Sequence, residues 1–460
     1  MYRILLPFLL FPFFLSAQFG DFKDKPIGWD KSTSFIAIPN QDVKADNEEI
    51  ERLKKIEHSS YISATAIPSQ ISFQDFTLSE ILPNGDKVYR LLVSSSNALG
   101  LMLNFENFKL EEGAKLWLYD IDRQNFIGSY SKRDNYTDTK SFMTSVVRGN
   151  TIVVEYLEPK NLSTLNFQIT KVYHFFRGLK STNGTGFGTA GSCMVNAACS
   201  EGTGYESVNA ATCRILVTGS NFSGWCSGTL LNNTAEDGTP YVMTANHCSA
   251  NSTLSDLVNW EFHFLYQSSG CSNPTTEPIS LNFKGSSAAA YTGSDNGDNS
   301  SDFLLLKING SLPSNLYDFT YLGWDRTGVT TSNNLCFSHP RGDVKKVSRT
   351  SGLSSIASYG GNVSSTHFQV FWASTTHGYS VTEEGSSGSN LVNSAGLFIG
   401  TLTGGGSSCS SPNNPDFYGR LFMHWDKYGS ATNQRASYWL DPLNTGATSL
   451  RTIKSSGAVI

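Results

Sequence analysis

A short glycine- and serine-rich stretch, Glu384-Gly385-Ser386-Ser387-Gly388-Ser389, has the residue types of a nucleophile loop. Glycine permits a sharp backbone bend from which a serine hydroxyl can project. The same bend can direct neighbouring N–H groups towards one point, where they would stabilise a developing oxyanion. The motif alone is weak, because the chain contains 41 glycines and flexible Gly/Ser loops are common. Its interpretation therefore depends on partners elsewhere in the sequence.

Two upstream stretches supply the partners that such a serine needs. A strand-like apolar run ends at His247, and Asp302 opens a second apolar run that can form a buried strand. The chain order His247, Asp302, Ser387 is that of chymotrypsin-like serine proteases, and it differs from the order in subtilisins and α/β-hydrolases. The order predicts a Ser-His-Asp triad, in which Asp295 and Asp298 are the alternatives to Asp302 because they lie close in sequence.

Composition predicts a multidomain, all-β protein without a nucleic-acid partner. A length of 460 residues suggests two or three domains. Short alternating apolar segments separated by Gly, Ser, Thr and Asn are typical of strands and turns. A net charge of −5 with only 16% charged residues argues against a basic nucleic-acid-binding face. We expect no cofactor and no metal, since no second ligand pair with metal-site spacing accompanies His247-Cys248.

Residues 1–17 have the pattern of a secretory signal peptide. Arg3 precedes the short apolar run Ile4–Leu15, and the small residues Ser16 and Ala17 come before a cut near Gln18. A membrane anchor is the alternative, but the run is short for a spanning helix. We therefore expect a secreted protein that does not remain in the membrane after the signal is removed.

The cysteines divide the chain into two parts. An even number of cysteines in a secreted chain predicts disulfides. All eight follow residue 190: Cys193, Cys199, Cys213, Cys226, Cys248, Cys271, Cys336 and Cys409. We predict an N-terminal domain over 18–180, in which short strand candidates without cysteine suggest a β-sandwich. A Gly/Ser/Thr-rich linker or activation segment over 181–192 comes next, and then a domain over 193–455 that carries the triad.

Residues 188–450 resemble the secreted bacterial lysyl endopeptidases, a branch of the chymotrypsin-like serine proteases. The resemblance rests on a series of ordered motifs: Gly191-Ser192-Cys193, Leu231-Asn232-Asn233-Thr234-Ala235, Thr244-Ala245-Asn246-His247-Cys248, Gly323-Trp324-Asp325-Arg326, Val381–Ser389, Gly404–Cys409, Asp416-Phe417-Tyr418-Gly419-Arg420 and Trp439-Leu440-Asp441-Pro442. It implies a chymotrypsin-like double β-barrel, and it makes the N-terminal β-sandwich-like domain a pro-domain.

The resemblance also implies roles for individual residues. Ser387 would be the nucleophile, His247 its general base and later general acid, and Asp302 the group that orients the imidazole. The N–H groups of Gly385 and Ser387 would form the oxyanion hole. Asp416 would lie in the primary pocket and bind a substrate lysine. The implied partners are protein or peptide substrates with lysine at the cleaved position, and the chain's own pro-domain.

Six cysteines match the disulfide pattern of the family. The implied pairs are Cys193–Cys409, Cys199–Cys271 and Cys226–Cys248. Cys213 and Cys336 are left over, and we predict that they pair with each other.

The sequence departs from the family at two positions. The family can carry tryptophan at Tyr359 and histidine at Thr403. Ser386 occupies the place where trypsin-like enzymes carry an aspartate that binds the new N-terminus, so removal of the pro-domain should act by uncovering the cleft. Lys180 is the lysine of the linker and a candidate for self-processing, although the family match puts the mature N-terminus nearer Gly188.

Two other functions are compatible with the sequence. One is a trypsin-like protease with a different preference, such as glutamate, which the acidic Asp416 disfavours because like charges repel. The other is a catalytically inactive, β-rich secreted binding module, which the intact set of triad residues disfavours.

Overall fold

The computed structural model describes residues 24–31, 38–56, 60–135, 141–162, 167–179, 189–276, 278–292, 300–360 and 364–460. The signal peptide expected at 1–17, Lys180, Gly188 and most of the expected linker lie outside these ranges. Asp295 and Asp298, the alternatives to Asp302, also lie outside them.

The N-terminal region is a β-sandwich. Its elements are β1 (Asn40–Asp42), α1 (Asn47–Leu53), β2 (Tyr61–Ser72), β3 (Thr77–Ile81), β4 (Lys87–Ser94), β5 (Gly100–Glu106), β6 (Lys115–Asp120), β7 (Phe126–Tyr130), β8 (Phe142–Met143), β9 (Val147–Arg148), β10 (Thr151–Glu158) and β11 (Gln168–Phe175). One sheet has the order β1-β4-β10-β6-β7, with β3 beside β4. The other contains β2-β11-β5, with β8 and β9 beside β5. Apolar side chains that alternate along the strands fill the space between the sheets, among them Leu91, Leu118, Val154, Leu103 and Val172.

A first barrel comes after the sandwich. Its elements are β12 (Val195–Asn196), which joins the second barrel, α2 (Glu206–Ala211), β13 (Thr212–Thr218), β14 (Phe222–Leu231), β15 (Tyr241–Ala245), β16 (Glu261–Phe264), β17 (Leu281–Lys284), β18 (Ser286–Tyr291) and β19 (Phe303–Ile308). The strand order is β17-β16-β13-β14-β15-β19-β18. Gly285 joins β17 directly to β18 with a φ of 92°, so the two ends of the sheet meet at this corner.

A second barrel contains most of the remaining strands. The elements are β20 (Thr320–Tyr321), β21 (Trp324–Asp325), β22 (Leu335–Ser338), β23 (Lys346–Arg349), β24 (Ser355–Ala357), β25 (His367–Val370), β26 (Asn390–Val392), β27 (Phe398–Gly405), β28 (Asp416–Arg420), α3 (Leu421–Asp426), α4 (Ser437–Leu440), β29 (Ser449–Leu450) and β30 (Ile453–Lys454). The order is β12-β23-β22-β26-β27-β28-β25-β24, and a bridge between Thr350 and Trp372 brings the end of β23 to the end of β25. The predicted all-β, chymotrypsin-like double barrel preceded by a β-sandwich is confirmed.

The helices are short and lie outside the barrels. Leu421 and Trp425 of α3 and Leu440 of α4 pack into an apolar cluster with strands of both barrels. Among the described residues, none of the helices has the length and apolar character needed to cross a membrane.

One sheet is continuous from the sandwich into the first barrel. Strand β2 pairs with β11 on one side and with β14 on the other. The contact with β14 is antiparallel, with Tyr61 opposite Trp225 and Thr65 opposite Phe222. The N-terminal region is therefore joined to the barrel by backbone pairing.

The disulfides agree with the family pattern in three pairs and correct the fourth. Cys193–Cys409, Cys199–Cys271 and Cys226–Cys248 are bonded.

The predicted Cys213–Cys336 bond is wrong, because both cysteines are free and buried. Cys213 packs in the core of the first barrel, whereas Cys336 packs in a separate cluster of the second barrel. Burial raises the pKa of the Cys213 thiol to about 12 and that of Cys336 to about 11. Each sulfur therefore behaves as a small apolar core group.

Candidate active site

His247 and Asp302 meet where two paired strands end. Ala245, the last residue of β15, lies opposite Phe303, the first residue of β19. The residues just beyond, His247 and Asp302, are consequently neighbours. His247 Nδ1 lies 2.6 Å from Asp302 Oδ2, and the His247 backbone N–H donates to Asp302 Oδ1 at 2.8 Å. Both side chains are buried, so this contact is shielded from water.

The backbone of Asp302 is held in an uncommon conformation. Its φ is +55°, a region that residues with a side chain seldom occupy. The Asp302 carbonyl accepts the N–H of Asn246 at 3.1 Å, and its own N–H donates to Ser300 Oγ at 3.1 Å. These bonds fix the carboxylate in the orientation that faces the backbone N–H and the Nδ1 atom of His247.

The Ser387 loop is fastened to the first barrel by two hydrogen bonds from Ser227. The Ser227 N–H donates to the Ser387 carbonyl at 2.8 Å, and the Ser227 hydroxyl donates to the Gly385 carbonyl at 2.9 Å. Gly385 has a φ of 87° and Gly388 a φ of 82°, so glycine is needed at both bends. The loop therefore turns on each side of Ser387, whose side chain is half-buried.

The backbone N–H groups of this loop differ in whether they have a hydrogen-bond acceptor. The N–H of Ser386 donates to the Glu383 carbonyl, that of Gly388 to Leu402 and that of Ser389 to Ser386. Within the part of the chain that the structure describes, the N–H groups of Gly385 and Ser387 have no acceptor. An oxygen carrying negative charge could occupy that position.

A disulfide brings the histidine and the serine loop together. Cys248 follows His247 directly and is bonded to Cys226, which precedes Ser227. Cys248 Sγ lies 3.9 Å from the Ser387 carbonyl oxygen. The structure thus gathers His247, Asp302 and Ser387 where the two barrels meet.

Asp416 lies in β28, next to β27 in the same sheet, and its carboxylate is buried. It starts β28 and is paired with Gly405 of β27. Its Oδ2 accepts hydrogen bonds from Trp372 Nε1 at 2.6 Å, Thr382 Oγ1 at 2.6 Å and Ser407 Oγ at 2.5 Å. Its Oδ1 accepts from the Ser407 N–H at 3.2 Å. A carboxylate with this set of fixed donors has one orientation only.

The charge of Asp416 is unpaired. No cationic side chain among the described residues forms an ion pair with it, and only 1% of the residue is exposed. Burial raises the pKa of the Asp416 carboxyl, and the four hydrogen bonds act in the opposite direction. A buried carboxylate without a counter-ion favours a cation that can reach it.

Strand β27 connects Asp416 to the serine loop. Gly405 lies opposite Asp416, while Leu402 of the same strand exchanges hydrogen bonds with the loop through Gly388 and Ser389. A Cβ on Gly405 would overlap the Asp416 carboxylate, so glycine allows this close approach. The nucleophile candidate and the pocket candidate therefore share one strand.

A buried histidine, predicted from the sequence to be structural, lies within electrostatic range of Asp302. His367 is fully buried, with Nε2 3.0 Å from Thr403 Oγ1 and its ring 5.6 Å from the Tyr359 ring. Burial lowers the pKa of His367 to about 4, and the charge of Asp302 acts in the opposite direction. Both family departures, Tyr359 and Thr403, thus contact one neutral imidazole.

The sequence does not assign a role to the individual residues that hold the Asp416 carboxylate, although two of them lie within the quoted motifs. Trp372, Thr382 and Ser407 hold the Asp416 carboxylate, yet they come from three separate stretches of chain. Their spacing gives no periodic signal, so only the fold reveals them.

Ser386 makes neutral contacts at the place where trypsin-like enzymes carry an aspartate. Its hydroxyl donates to Ser338 Oγ at 3.1 Å and accepts the Glu383 N–H at 3.3 Å. The carboxylate of Glu383 accepts the Gly191 N–H at 2.8 Å and pairs with Arg341 at 3.1 Å. Gly191, near the end of the predicted 181–192 linker, is thus fastened to Glu383, two residues before Gly385.

Metal ligands are scarce in the described ranges. The group with suitable proximity is Cys199, Cys271 and His377. Its two sulfurs are bonded to each other, so they cannot act as thiolate ligands.

Comparison with known proteins places these residues in a family context. A family model described as lysyl endopeptidase, C-terminal domain, matches residues 187–419, a range that contains His247, Asp302, Ser387 and Asp416. The lysyl endopeptidase of Pseudomonas aeruginosa is 30% identical over 287 residues, which cover 59% of this chain and 59% of that protein. The chain thus spans well under two thirds of the length of this relative.

A solved structure gives a much weaker likeness. The crystal structure of the Rv3671c protease in its inactive form has 12% sequence identity and a TM-score of 0.30, covering 50% of this chain and 93% of that one. A likeness of this size carries no argument about the chain.

Proposed function

Because this chain belongs to the lysyl endopeptidase C-terminal domain family, we propose that it is a secreted serine endopeptidase that cleaves peptide bonds on the carboxyl side of lysine. The observation that carries the proposal is the joint placement of the His247–Asp302 pair, the Ser387 loop and the unpaired Asp416 carboxylate. We further propose residues 193–455 as the protease domain, 18–180 as its pro-domain, 181–192 as the activation segment and 1–17 as the signal peptide.

The proposed reaction proceeds through an acyl-enzyme. His247 accepts the Ser387 hydroxyl proton as the serine oxygen attacks the carbonyl carbon of the substrate lysine, and the amine of the next residue is the leaving group. Asp302 holds Nδ1–H, which leaves Nε2 free to act as the base. His247 then donates the proton to the leaving amine, and water repeats the sequence to release the acid.

The free N–H groups of Gly385 and Ser387 stabilise the oxyanion of this proposed reaction. Donors fixed in this way typically contribute about 3 kcal/mol each to lowering the barrier. They need no reorganisation during the step, because the bonds from Ser227 already hold the loop in its bent form.

The preference for lysine is assigned to Asp416. A lysine ammonium that reaches the pocket gains a charge-assisted hydrogen bond and supplies the missing counter-ion. A glutamate would bring a second negative charge to the same place, which disfavours the alternative specificity. Substrate backbone would add as a strand to Leu402–Gly404 of β27, in a β-augmentation mode.

The proposed environment is extracellular. Three disulfides form in the described structure, and disulfides persist in oxidising compartments. The proposed partners are protein or peptide substrates with lysine at the cleaved position, and the chain's own pro-domain.

A small fluorophosphonate that reacts with activated serines tests the enzymatic proposal. We expect labelling of the processed protein at Ser387, identified by mass spectrometry, and no labelling of Ser387→Ala. Ser394→Ala is the matched control, because Ser394 lies on an exposed turn after β26. A folded, processed protein that is not labelled would favour the inactive binding module instead.

A further inference from the structure

One of the two edges of β14 is lined by three different segments of the chain in succession. β13 covers one edge of this strand along most of its length. Along the other edge, β2 pairs with Phe222–Trp225, the Ser387 carbonyl accepts the Ser227 N–H, and β15 pairs with Thr229–Leu231. β2 is thus the next backbone along this edge after the Ser387 loop.

The pocket lies on the other side of the loop. Leu402 of β27 forms backbone hydrogen bonds with Gly388 and Ser389, and Asp416 is paired with Gly405 of the same strand. A substrate whose lysine enters that pocket has its acyl half along β27. Its leaving-group half must then continue past Ser387 in the direction of Trp225.

The direction of β2 agrees with that path. β14 runs towards Ser387, and β2 is antiparallel to it, starting with Tyr61 opposite Trp225 and reaching Thr65 opposite Phe222. β2 therefore begins beside the Ser387 loop and leads away from it. The leaving-group half of a substrate also begins at the scissile bond and leads away.

The contact between β2 and the barrel is closely packed. Ile62 is 1% exposed and belongs to the core cluster of the first barrel, and the Ala66 N–H donates to the Asn221 carbonyl at 3.0 Å. A Cβ on Gly224 would lie 2.7 Å from the Tyr61 carbonyl oxygen. The backbone of β2 thus fills the space above this glycine.

Tyr61, the first residue of β2, lies within electrostatic range of the loop that carries the nucleophile candidate. Burial raises the pKa of Tyr61, and the charges of Arg177, Arg341, Glu384 and Glu383 also act on its hydroxyl. The Arg177 guanidinium lies over the Tyr61 ring at 4.1 Å. Glu384 immediately precedes Gly385, so β2 begins close to the proposed oxyanion site.

We propose that the Phe222–Trp225 edge of β14 binds the leaving-group half of a substrate as an antiparallel strand, and that β2 occupies this half of the cleft while the chain is intact. The inference rests on the proposed function and specifies which half of the cleft the N-terminal region covers. Backbone pairing at a sheet edge is a general mode of peptide binding. Processing would release β2 and leave the Phe222–Trp225 edge accessible to substrates.

Substrates that differ in the length of chain beyond their lysine should respond differently to β2. A lysine 4-nitroanilide has no residues beyond the cleaved bond and does not need the β14 edge. A peptide with four residues after lysine does need it and competes with β2. The small fluorophosphonate, which also lacks a leaving strand, should label Ser387 in the intact chain.

The test compares kcat/KM for the anilide and the long peptide, using chain shown by mass spectrometry to be intact and chain that has been processed. Losing two strand hydrogen bonds is expected to reduce the peptide-to-anilide ratio at least about tenfold in the intact chain. Ile62→Asp places a charge in the β2–barrel contact and should restore the ratio. Gln70→Asp is the matched control, since Gln70 is exposed on β2 beyond the paired stretch.

The outcomes separate this inference from the proposed function. Equal ratios in intact and processed chain, or equal behaviour of Ile62→Asp and Gln70→Asp, would overturn it, as would an intact chain that the reagent cannot label. Labelling of Ile62→Asp at the wild-type rate shows that the variant is folded. If processed wild type cleaves neither substrate, the proposed function itself fails.

A second variant tests the substrate side of the same edge. Gly224→Ala adds a Cβ where the proposed leaving strand passes, so the processed variant should lose at least about fivefold on the long peptide and nothing on the anilide. Gly270→Ala is the control, because a Cβ there meets nothing within 4 Å. Equal losses on both substrates would contradict a leaving-group site at β14.

Discussion

At the scale of single residues, the central feature is a buried charge that lacks its partner. Asp416 has hydrogen-bond donors on both oxygens, yet no described cation neutralises it. A protein core normally excludes such a group unless it is paired. The unpaired carboxylate is the observation on which the proposed recognition of a lysine ammonium rests.

Replacement of this carboxylate should abolish the preference for lysine. Asp416→Asn keeps the size of the side chain but removes the charge that the ammonium needs. We expect kcat/KM for lysyl substrates to fall about 10²- to 10³-fold, the range for loss of one partner of a buried charge pair. The control is Asp426→Asn at the exposed end of α3. Unchanged cleavage after lysine by Asp416→Asn would show that Asp416 does not bind the substrate lysine.

The ionisation of Asp416 should also set a pH dependence of specificity. Burial raises its pKa, so its negative charge is lost at a higher pH than for an ordinary aspartate as the solution is acidified. We expect the ratio of kcat/KM for lysine over norleucine at the cleaved position to fall with decreasing pH. The ratio cancels any effect of pH on the steps that both substrates share. A ratio that stays constant with pH would contradict the assignment.

At the scale of elements, the geometry of the Ser387 loop depends on where β14 and β15 allow it to approach. A Cβ on Gly388 would overlap Thr244 Oγ1 of β15 and the Ser227 carbonyl of β14. The loop can therefore lie against both strands only with glycine at this position. The same contact places Ser387 next to the turn that carries His247.

Gly388→Ala should displace the nucleophile candidate. It adds both an unfavourable positive φ and a steric overlap, and we expect at least about 100-fold loss of kcat, since displacements near 1 Å have effects of that size. Gly352→Ala is a matched control, because Gly352 has a φ of 81° but a Cβ there meets nothing within 4 Å. It should cost about 1 kcal/mol of stability and leave kcat unchanged. Equal activity of both variants would refute the steric account.

The sequence correctly predicts the strands in which an apolar run adjoins a candidate catalytic residue. The strands before His247 and after Asp302 are continuous apolar runs, and they pair as β15 and β19. β2 was missed, because the stretch 18–75 shows few patterns and Pro68 interrupts its alternation. Its stability comes from pairing with β14 and β11, which are distant in sequence.

Pairing cysteines by elimination failed for a physical reason. Cys213 and Cys336 are each surrounded by a different apolar cluster, and a count of cysteines contains no information on burial. The donors to Asp416 were missed for a similar reason, since three separate segments converge on it only after folding.

At the scale of the whole molecule, a buried polar chain joins the N-terminal region to the first barrel. Glu261 Oε1 accepts hydrogen bonds from Ser145 Oγ at 2.7 Å and from Lys284 Nζ at 3.0 Å. Glu261 Oε2 lies 3.2 Å from His263 Nε2, and His263 Nδ1 lies 2.9 Å from Arg214 Nη2. His263 is therefore a buried histidine at this interface. His367 of β25 and His424 of α3 are buried as well.

These histidines should make the fold sensitive to acid. Burial lowers the pKa of His263 and His367 to about 4 and that of His424 to about 3. Because each folded pKa lies below the unfolded value of about 6.5, stability is complete above pH 6.5 and is lost as pH falls towards 4. We expect each histidine to cost about 1.4 kcal/mol per pH unit in that window. Urea unfolding between pH 7.5 and 4.5 measures this, and a flat profile would contradict neutral burial.

The measurement that most directly tests the central claim is hydrolysis of matched peptides that carry Lys, Arg or Glu before the cleaved bond, using processed wild type and Ser387→Ala. We predict cleavage after Lys and none after Glu, with all cleavage abolished in the variant, because the proposal assigns the attack to Ser387 and the selection of the cation to Asp416. Cleavage that survives in Ser387→Ala, or a preference for Glu, would contradict the account.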